Sequence, residues 1–347
     1  MLPLSVGVLW ALIEIGFLVL LQVQMQQPQF RETAGRLYVP HPRLGFGPRP
    51  GVTVRAEKRR GNEVAYTCTY TITEEGRRFT PVDQPGKRGR FALFFGGSFT
   101  FGQGVDDPDT LPAQFGEAAP SHQPYNYGFC AYGPQSMYLQ VNADDFADDV
   151  RQDRGVVVYT FLDEHMLRLM GSARIATTWG ANLPHITREN GGIVHHGGFG
   201  DSRPARQFVY RMFRHLPTVS YFRLDYPPPT ASWGRDLLTA VFVETRDRLQ
   251  ARFENVAFYV LFYPETKLGP SIAPQLQAAG VEYVDYSDLF HKNRQPDATY
   301  YLPDGHPTAA GHAVVARQLA ADLGLTAHET ACNGEIRTGT TDPPPPV

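Results

Sequence analysis

The sequence predicts an α/β fold built on a mostly parallel sheet and preceded by one membrane-spanning helix. Two observations carry this. From residue 91 to residue 323, short apolar runs of strand length alternate with longer stretches of helical spacing. Ahead of them, the N-terminus holds an apolar run long enough to cross a bilayer.

Residues 2–21, LPLSVGVLWALIEIGFLVLL, carry a single charge, Glu14. Twenty helical residues at about 1.5 Å each span roughly the 30 Å of a hydrocarbon core. A secretory signal peptide has a basic n-region, a shorter apolar core and a small-residue cleavage site. Here no Lys or Arg precedes the run and VQMQQPQ follows it, so an uncleaved anchor over residues 1–25 is expected, ahead of a signal peptide or a buried helix. Arg31, Arg36 and Arg43 come next, and the positive-inside rule applied to them leaves the rest of the chain in the cytoplasm. The chemistry described below favours an extracytoplasmic domain instead.

Residues 26–88 read as a lead-in, an extended Pro-, Gly- and Arg-rich stretch to residue 60 and then a strand over 64–73, VAYTCTYTIT. Residues 91–95 (FALFF), 156–161 (VVVYTF), 256–262 (VAFYVLF) and 281–286 suit buried strands. Helices are expected over 235–254, 271–279 and 308–323. Residues 171–233, rich in Gly, His, Pro and aromatics, read as an insertion over the sheet edge, and 327–347 as a disordered tail.

Composition narrows the function. With 347 residues, 42% of them hydrophobic, the chain can bury a sizeable core. Its net charge of −3 argues against nucleic acid as a partner. Cys68, Cys130 and Cys332 are too few and too scattered for a disulfide framework or a zinc site. Adjacent His195 and His196 do not supply the three or four fixed ligands a metal wants, so neither metal nor cofactor is called for.

Two segments carry candidate chemistry. In FFGGSFTFGQGV (residues 94–105), Ser98 stands between glycines just past a buried strand, where an α/β sheet exposes ligands at its carboxyl edge. A plain Gly-rich connection reads the same way; the GxxxxGK[ST] phosphate loop is absent. In YLPDGHPTAAGH (residues 301–312), Pro307 suits the first position of the last helix, with His306 at its cap and Asp304 just outside. A serine becomes a nucleophile when a base takes its proton, and a carboxylate can orient that base.

Together these segments resemble the SGNH (GDSL-like) hydrolase superfamily, membrane-anchored type, including its polysaccharide O-acetyl esterase and acetyltransferase relatives. The resemblance covers roughly residues 89–326 and implies a three-layer α/β/α flavodoxin-like fold. GGSFTFGQGV stands for block I, making Ser98 the nucleophile, and DGHPTAAGH for block V, making Asp304 and His306 its partners at the Asp-x-His spacing rather than Asp-x-x-His. YNYGFCAYGPQ (residues 125–135) resembles block II, whose oxyanion-hole glycine falls on Ala131; its N–H serves if no positive φ is needed. The block III Asn falls near Asp163, and an ionised Asp cannot donate. Either Asp163 is protonated, or His165 donates in its place, or the position has another role.

The expected activity is that of a serine ester hydrolase acting through an acyl-enzyme on acylated envelope carbohydrate. Transfer to a sugar hydroxyl is the alternative, with a membrane acyltransferase as partner by resemblance. A degenerate, non-catalytic glycan-binding module is the rival from another class. A carboxylate-pair glycosidase would need Asp106-Asp107 and Asp144-Asp145 to converge. Trp179, Tyr221, Phe222 and Trp233 could stack on sugar rings or simply pack.

Overall fold

Residues 91–95 show how the core is laid out. In a strand, alternate side chains face opposite sides. Phe91, Leu93 and Phe95 enter one buried cluster and Ala92 and Phe94 a second, so this strand is covered on both faces. That is why its sequence is a continuous apolar run.

The computed structural model describes residues 2–25, 29–83, 87–293 and 298–326. Helix α1 (Leu2–Met25) precedes a lead-in of β1 (Phe30–Thr33), β2 (Tyr38–His41), β3 (Gly45–Pro48), β4 (Thr53–Arg60) and β5 (Glu63–Thr71). The central unit begins with β6 (Arg90–Phe95), α2 (Ser98–Phe101), α3 (Leu111–Ala118), β7 (His122–Asn126), α4 (Pro134–Val141), β8 (Arg154–Phe161) and α5 (Glu164–Met170). Next come α6 (Ala173–Ala176), β9 (Pro184–Glu189), β10 (Gly192–Gly198), α7 (Phe199–Ser202), α8 (Pro204–Arg214) and α9 (Pro217–Tyr221). The series closes with α10 (Ser232–Arg252), β11 (Asn255–Phe262), α11 (Gly269–Ala278), β12 (Glu282–Asp285), α12 (Leu289–Lys292) and α13 (Ala309–Asp322). The expected tail over 327–347, Cys332 included, lies outside the described residues.

The expected α/β fold is present. Five parallel strands run in the order β12-β11-β8-β6-β7. Helices α4, α5, α10 and α11 cover one face and α3, α12 and α13 the other, giving three layers. Counted along the chain, the order is the flavodoxin-like 2-1-3-4-5, whose switch point lies between β6 and β8, and ligands in such sheets bind at the carboxyl ends of the strands beside it. Strand β7 escapes the sequence pattern because HQPYN does not alternate and contains Pro124, which an edge strand tolerates.

Three expectations change. The stretch to residue 60 is more than an extended lead: β4 pairs antiparallel with both β1 and β5, and β2 with β3. This small sheet packs Tyr66, Cys68 and Tyr70 against Phe101, Phe129 and Tyr132 of the central unit, so it walls the region around α2. Cys68 and Cys130 are free and buried in that contact. The β9–β10 hairpin sits on α4, α5 and α10, over a helix layer instead of the sheet edge. The last helix starts at Ala309 with Thr308 as its cap, its Oγ1 accepting from the Gly311 N–H at 3.2 Å, so Pro307 lies before the helix.

Helix α1 is apolar and long enough to cross a membrane, and almost none of it is buried. That exposure removes the buried-core-helix reading.

Candidate active site

Strand β6 ends at Phe95, and Gly96-Gly97 turns the chain so that Ser98 opens α2 at the switch point. Gly97 leaves little room for a side chain. A Cβ there would lie 2.7 Å from Arg168 Nη1 and 3.0 Å from His165 Nε2, so both side chains reach the backbone just before Ser98. Asn126, at the end of β7, fixes the turn that follows. Its Nδ2 donates to the Thr100 carbonyl at 2.9 Å, and its Oδ1 accepts from the Gly128 N–H at 3.0 Å.

Residues 301–307 form a tight turn. The Leu302 N–H donates to the His306 carbonyl at 2.7 Å and the Gly305 N–H to the Leu302 carbonyl at 2.9 Å, with Gly305 at φ +86°. Folding back this sharply lets Asp304 reach its neighbour across a single residue. One carboxylate oxygen accepts from the His306 N–H at 3.2 Å and the other from His306 Nδ1 at 2.8 Å. On its far side, His306 Nε2 is 3.0 Å from Ser98 Oγ. The structure therefore brings Ser98, His306 and Asp304 into one hydrogen-bonded line across 208 residues of chain.

A fourth group extends the line. Lys58 Nζ, on β4, lies 2.7 Å from the Asp304 oxygen that faces His306, and the Asp304 side chain is 1% exposed. Burial alone would raise this carboxyl, but hydrogen bonds and charge from His306 and Lys58 outweigh it and hold Asp304 well below the usual carboxylate range.

Beyond Ser98 from this line, the picture differs. Ala131 sits at φ +70°, so against the expectation this position needs the left-handed region; that strains an L-residue by roughly 1–2 kcal/mol but takes no donor from it, and the Ala131 N–H stays a candidate. Asp163 is not an oxyanion donor. Its carboxylate accepts from the Lys267 N–H at 3.0 Å and the Leu268 N–H at 3.0 Å, tying the loop after β11 to the end of β8. His165 is fully buried, with Nδ1 2.8 Å from Tyr159 Oη and Nε2 unpartnered beside Gly97. Burial, reinforced by the Arg168 charge, pushes its imidazole well below the ordinary histidine range, so it stays neutral.

Arg168, one turn further along α5, is the cation of this side. Its Nη1 donates to the Tyr132 carbonyl at 2.8 Å and its Nε has no partner. No carboxylate pairs with it among the described residues, although the residue is only 9% exposed. Its guanidinium lies 5.7 Å from the Trp179 ring, which is 45% exposed. Burial disfavours the charge, yet a guanidinium keeps its proton in proteins.

The remaining candidates separate cleanly. Asp106 accepts from the Thr69 N–H at 2.7 Å, and Asp107 pairs with the buried Arg78 at 2.6 Å, so this acid pair latches the lead-in sheet to the central unit. On the β9–β10 hairpin, His196 pairs with Glu189 at 3.0 Å. Sequence reasoning missed Lys58 and gave Arg168 no role. The available signal for Lys58 was rarity, as one of four lysines among 32 basic residues.

No family model matches this chain, and no curated protein matches it. Solved structures similar to it include G-D-S-L lipolytic proteins and carbohydrate esterases. One is a lipolytic G-D-S-L family protein of Veillonella parvula, at 10% identity and TM-score 0.40 over 67% of this chain and 97% of that one. A carbohydrate esterase family 2 enzyme of Corynascus thermopiles matches at 15% identity and TM-score 0.38 over 77% and 76%. A catalytic mutant of an acetylxylan esterase from Geobacillus stearothermophilus matches at 11% identity and TM-score 0.38 over 68% and 95%.

Proposed function

We propose that this chain is an SGNH-type serine ester hydrolase, held at a membrane by α1, with Ser98, His306 and Asp304 as its catalytic triad. One observation carries the reading: Ser98 Oγ, His306 and Asp304 form a line of hydrogen bonds at 3.0 and 2.8 Å at the carboxyl edge of a doubly wound sheet. In the first step Ser98 Oγ bonds to the acyl carbon while its proton passes to His306 Nε2, and the carbonyl oxygen takes the negative charge. Collapse breaks the ester C–O bond, and His306 returns the proton to the leaving alkoxide. Water then attacks the acyl-enzyme by the same route, releasing the acid and restoring Ser98. Asp304 holds the imidazole in the tautomer that leaves Nε2 free to accept.

The oxyanion meets the Ser98 and Ala131 N–H groups and, in place of the absent block III Asn, the Arg168 guanidinium. Arg168 fits this role because it is buried, unpaired with acid and packed against Gly97. A fixed cation at a developing oxyanion lowers the barrier more than the ground state, since the charge exists only in the transition state. Trp179 beside it gives an exposed aromatic face, which suits an acylated sugar as substrate.

A fluorophosphonate probe on the full chain in membranes tests the nucleophile. Labelling of the native chain that disappears in Ser98→Ala is the expected result; folded native protein that takes no label removes the triad assignment and leaves the binding-module reading. Acetate release from O-acetylated polysaccharide, set against acetyl transfer to a sugar hydroxyl, then separates hydrolysis from transfer.

A further inference from the structure

Helix α8 faces outward with the wrong side for water. Ala205, Phe208, Val209 and Met212 follow the i, i+3, i+4, i+7 spacing of one helix face. On that face Phe208, Val209 and Met212 are 67%, 61% and 58% exposed, while Gln207 and Tyr210 on the opposite face are buried. Phe222 and Leu224, just past α9, add 57% and 54% exposed apolar side chains. Exposed apolar surface gathered on one element marks an interaction site.

Its surroundings say what covers it. Helix α9 packs directly on α1, with Phe17 of α1 5.0 Å from the Tyr221 ring and 5.1 Å from the Phe222 ring. The one charge in the apolar run is taken up by the same helix: the Glu14 carboxylate accepts from the Thr218 N–H at 3.0 Å and from Thr218 Oγ1 at 2.7 Å. A carboxylate in hydrocarbon is costly unless hydrogen-bonded, and α9 provides those bonds. Phe17 and Glu14 precede the end of the apolar window at Gln22 by about 7 and 12 Å of helix, taking about 1.5 Å per residue. With α1 across a bilayer, α9 therefore lies within the apolar slab. Arg211 and Arg223 flank the exposed face. Such side chains bury their stems in apolar surroundings and carry their charge out to phosphates.

We infer that α8, α9 and the turn through Leu224 form a lipid-inserted element, entering an anionic bilayer beside α1 with Phe208, Val209 and Met212 among acyl chains and the arginines at headgroups. The inference rests on the reading of α1 as a membrane helix. It makes the catalytic unit a body clamped to the membrane surface in one orientation, in contrast to one tethered by a flexible stalk.

The full chain, carrying Cys332→Ser because Cys68 and Cys130 are buried, is reconstituted into nanodiscs of phosphatidylcholine and phosphatidylglycerol. An environment-sensitive fluorophore is placed by Phe208→Cys or Met212→Cys, by Val19→Cys on α1, or by Glu63→Cys on exposed β5. The expected result is that labels at 208, 212 and 19 lose most of their emission to nitroxide-bearing lipid and resist iodide, with the label at 63 doing the reverse. Lipid quenching at 19 with 208 and 212 behaving like 63 overturns the inference and leaves the anchor standing. No lipid quenching at 19 overturns the anchor reading, and the inference falls with it.

Discussion

The two sides of Ser98 are built on opposite principles. On one side Lys58, Asp304 and His306 form a closed chain in which each polar group has a partner at 2.7–3.0 Å. On the other, Arg168 Nε and His165 Nε2 are buried without partners, and Arg168 has no carboxylate among the described residues. Buried polar groups ordinarily find partners, because leaving them unmade costs roughly 1–3 kcal/mol each. The contrast indicates a division of labour. Under the proposed triad, the closed side would hold one nucleophile geometry in the resting protein, and the open side would keep its charge for an oxygen that arrives with the substrate.

Several substitutions would break or sharpen that contrast. Removing the reserve charge should have the largest effect after loss of Ser98. Arg168→Met is expected to lower kcat by about 10²–10³-fold with little change in KM, as for one oxyanion donor. Arg168→Lys should recover only part of it, and a KM effect alone would make Arg168 a ground-state contact. Lys58→Met acts on the closed side and is milder. Without Lys58, Asp304 loses one of the two partners that hold it below the usual carboxylate range, so kcat/KM should fall, by less than for Arg168→Met; an unchanged kcat/KM would limit Lys58 to holding the lead-in sheet.

Asp304 also makes a pH-dependent contribution to stability. Its carboxyl is held below the unfolded value of about 3.9, so its contribution is complete above that value and is lost as pH falls through the folded one. The stability gap between the native chain and Asp304→Asn, followed by thermal unfolding, should therefore stay constant from neutral pH to about pH 4 and narrow below it. The smallest expected effect is at Ala131. Ala131→Gly relieves the positive φ but frees the unfolded chain, for a net gain of roughly 0.5–1 kcal/mol. Retained activity in that variant would fit an N–H donor role there, with no part for the methyl group.

Much of the layout was legible in the chain. FALFF and VVVYTF are apolar at every position because both faces of β6 and β8 are covered. The Asp-x-His spacing already placed Asp304 within reach of His306, because one tight turn suffices to bring them together. Less visible was β7, where an edge position tolerates a proline that a central strand would not. The role of Asp163 was equally hidden, since its partners are backbone N–H groups 104 and 105 residues away.

The sequence by itself determined the alternation that makes a parallel sheet, the apolar helix ahead of it and the short-range contact between Asp304 and His306, because periodicity and turn spacing are local properties. Tertiary structure alone decided that Lys58 of a small antiparallel sheet lies against Asp304, that Arg168 faces the backbone before Ser98, and that Glu14 finds Thr218 across 204 residues. Each of these depends on where a charge ends up when the chain closes, and a buried charge takes its partner from proximity in space, whatever the distance along the chain.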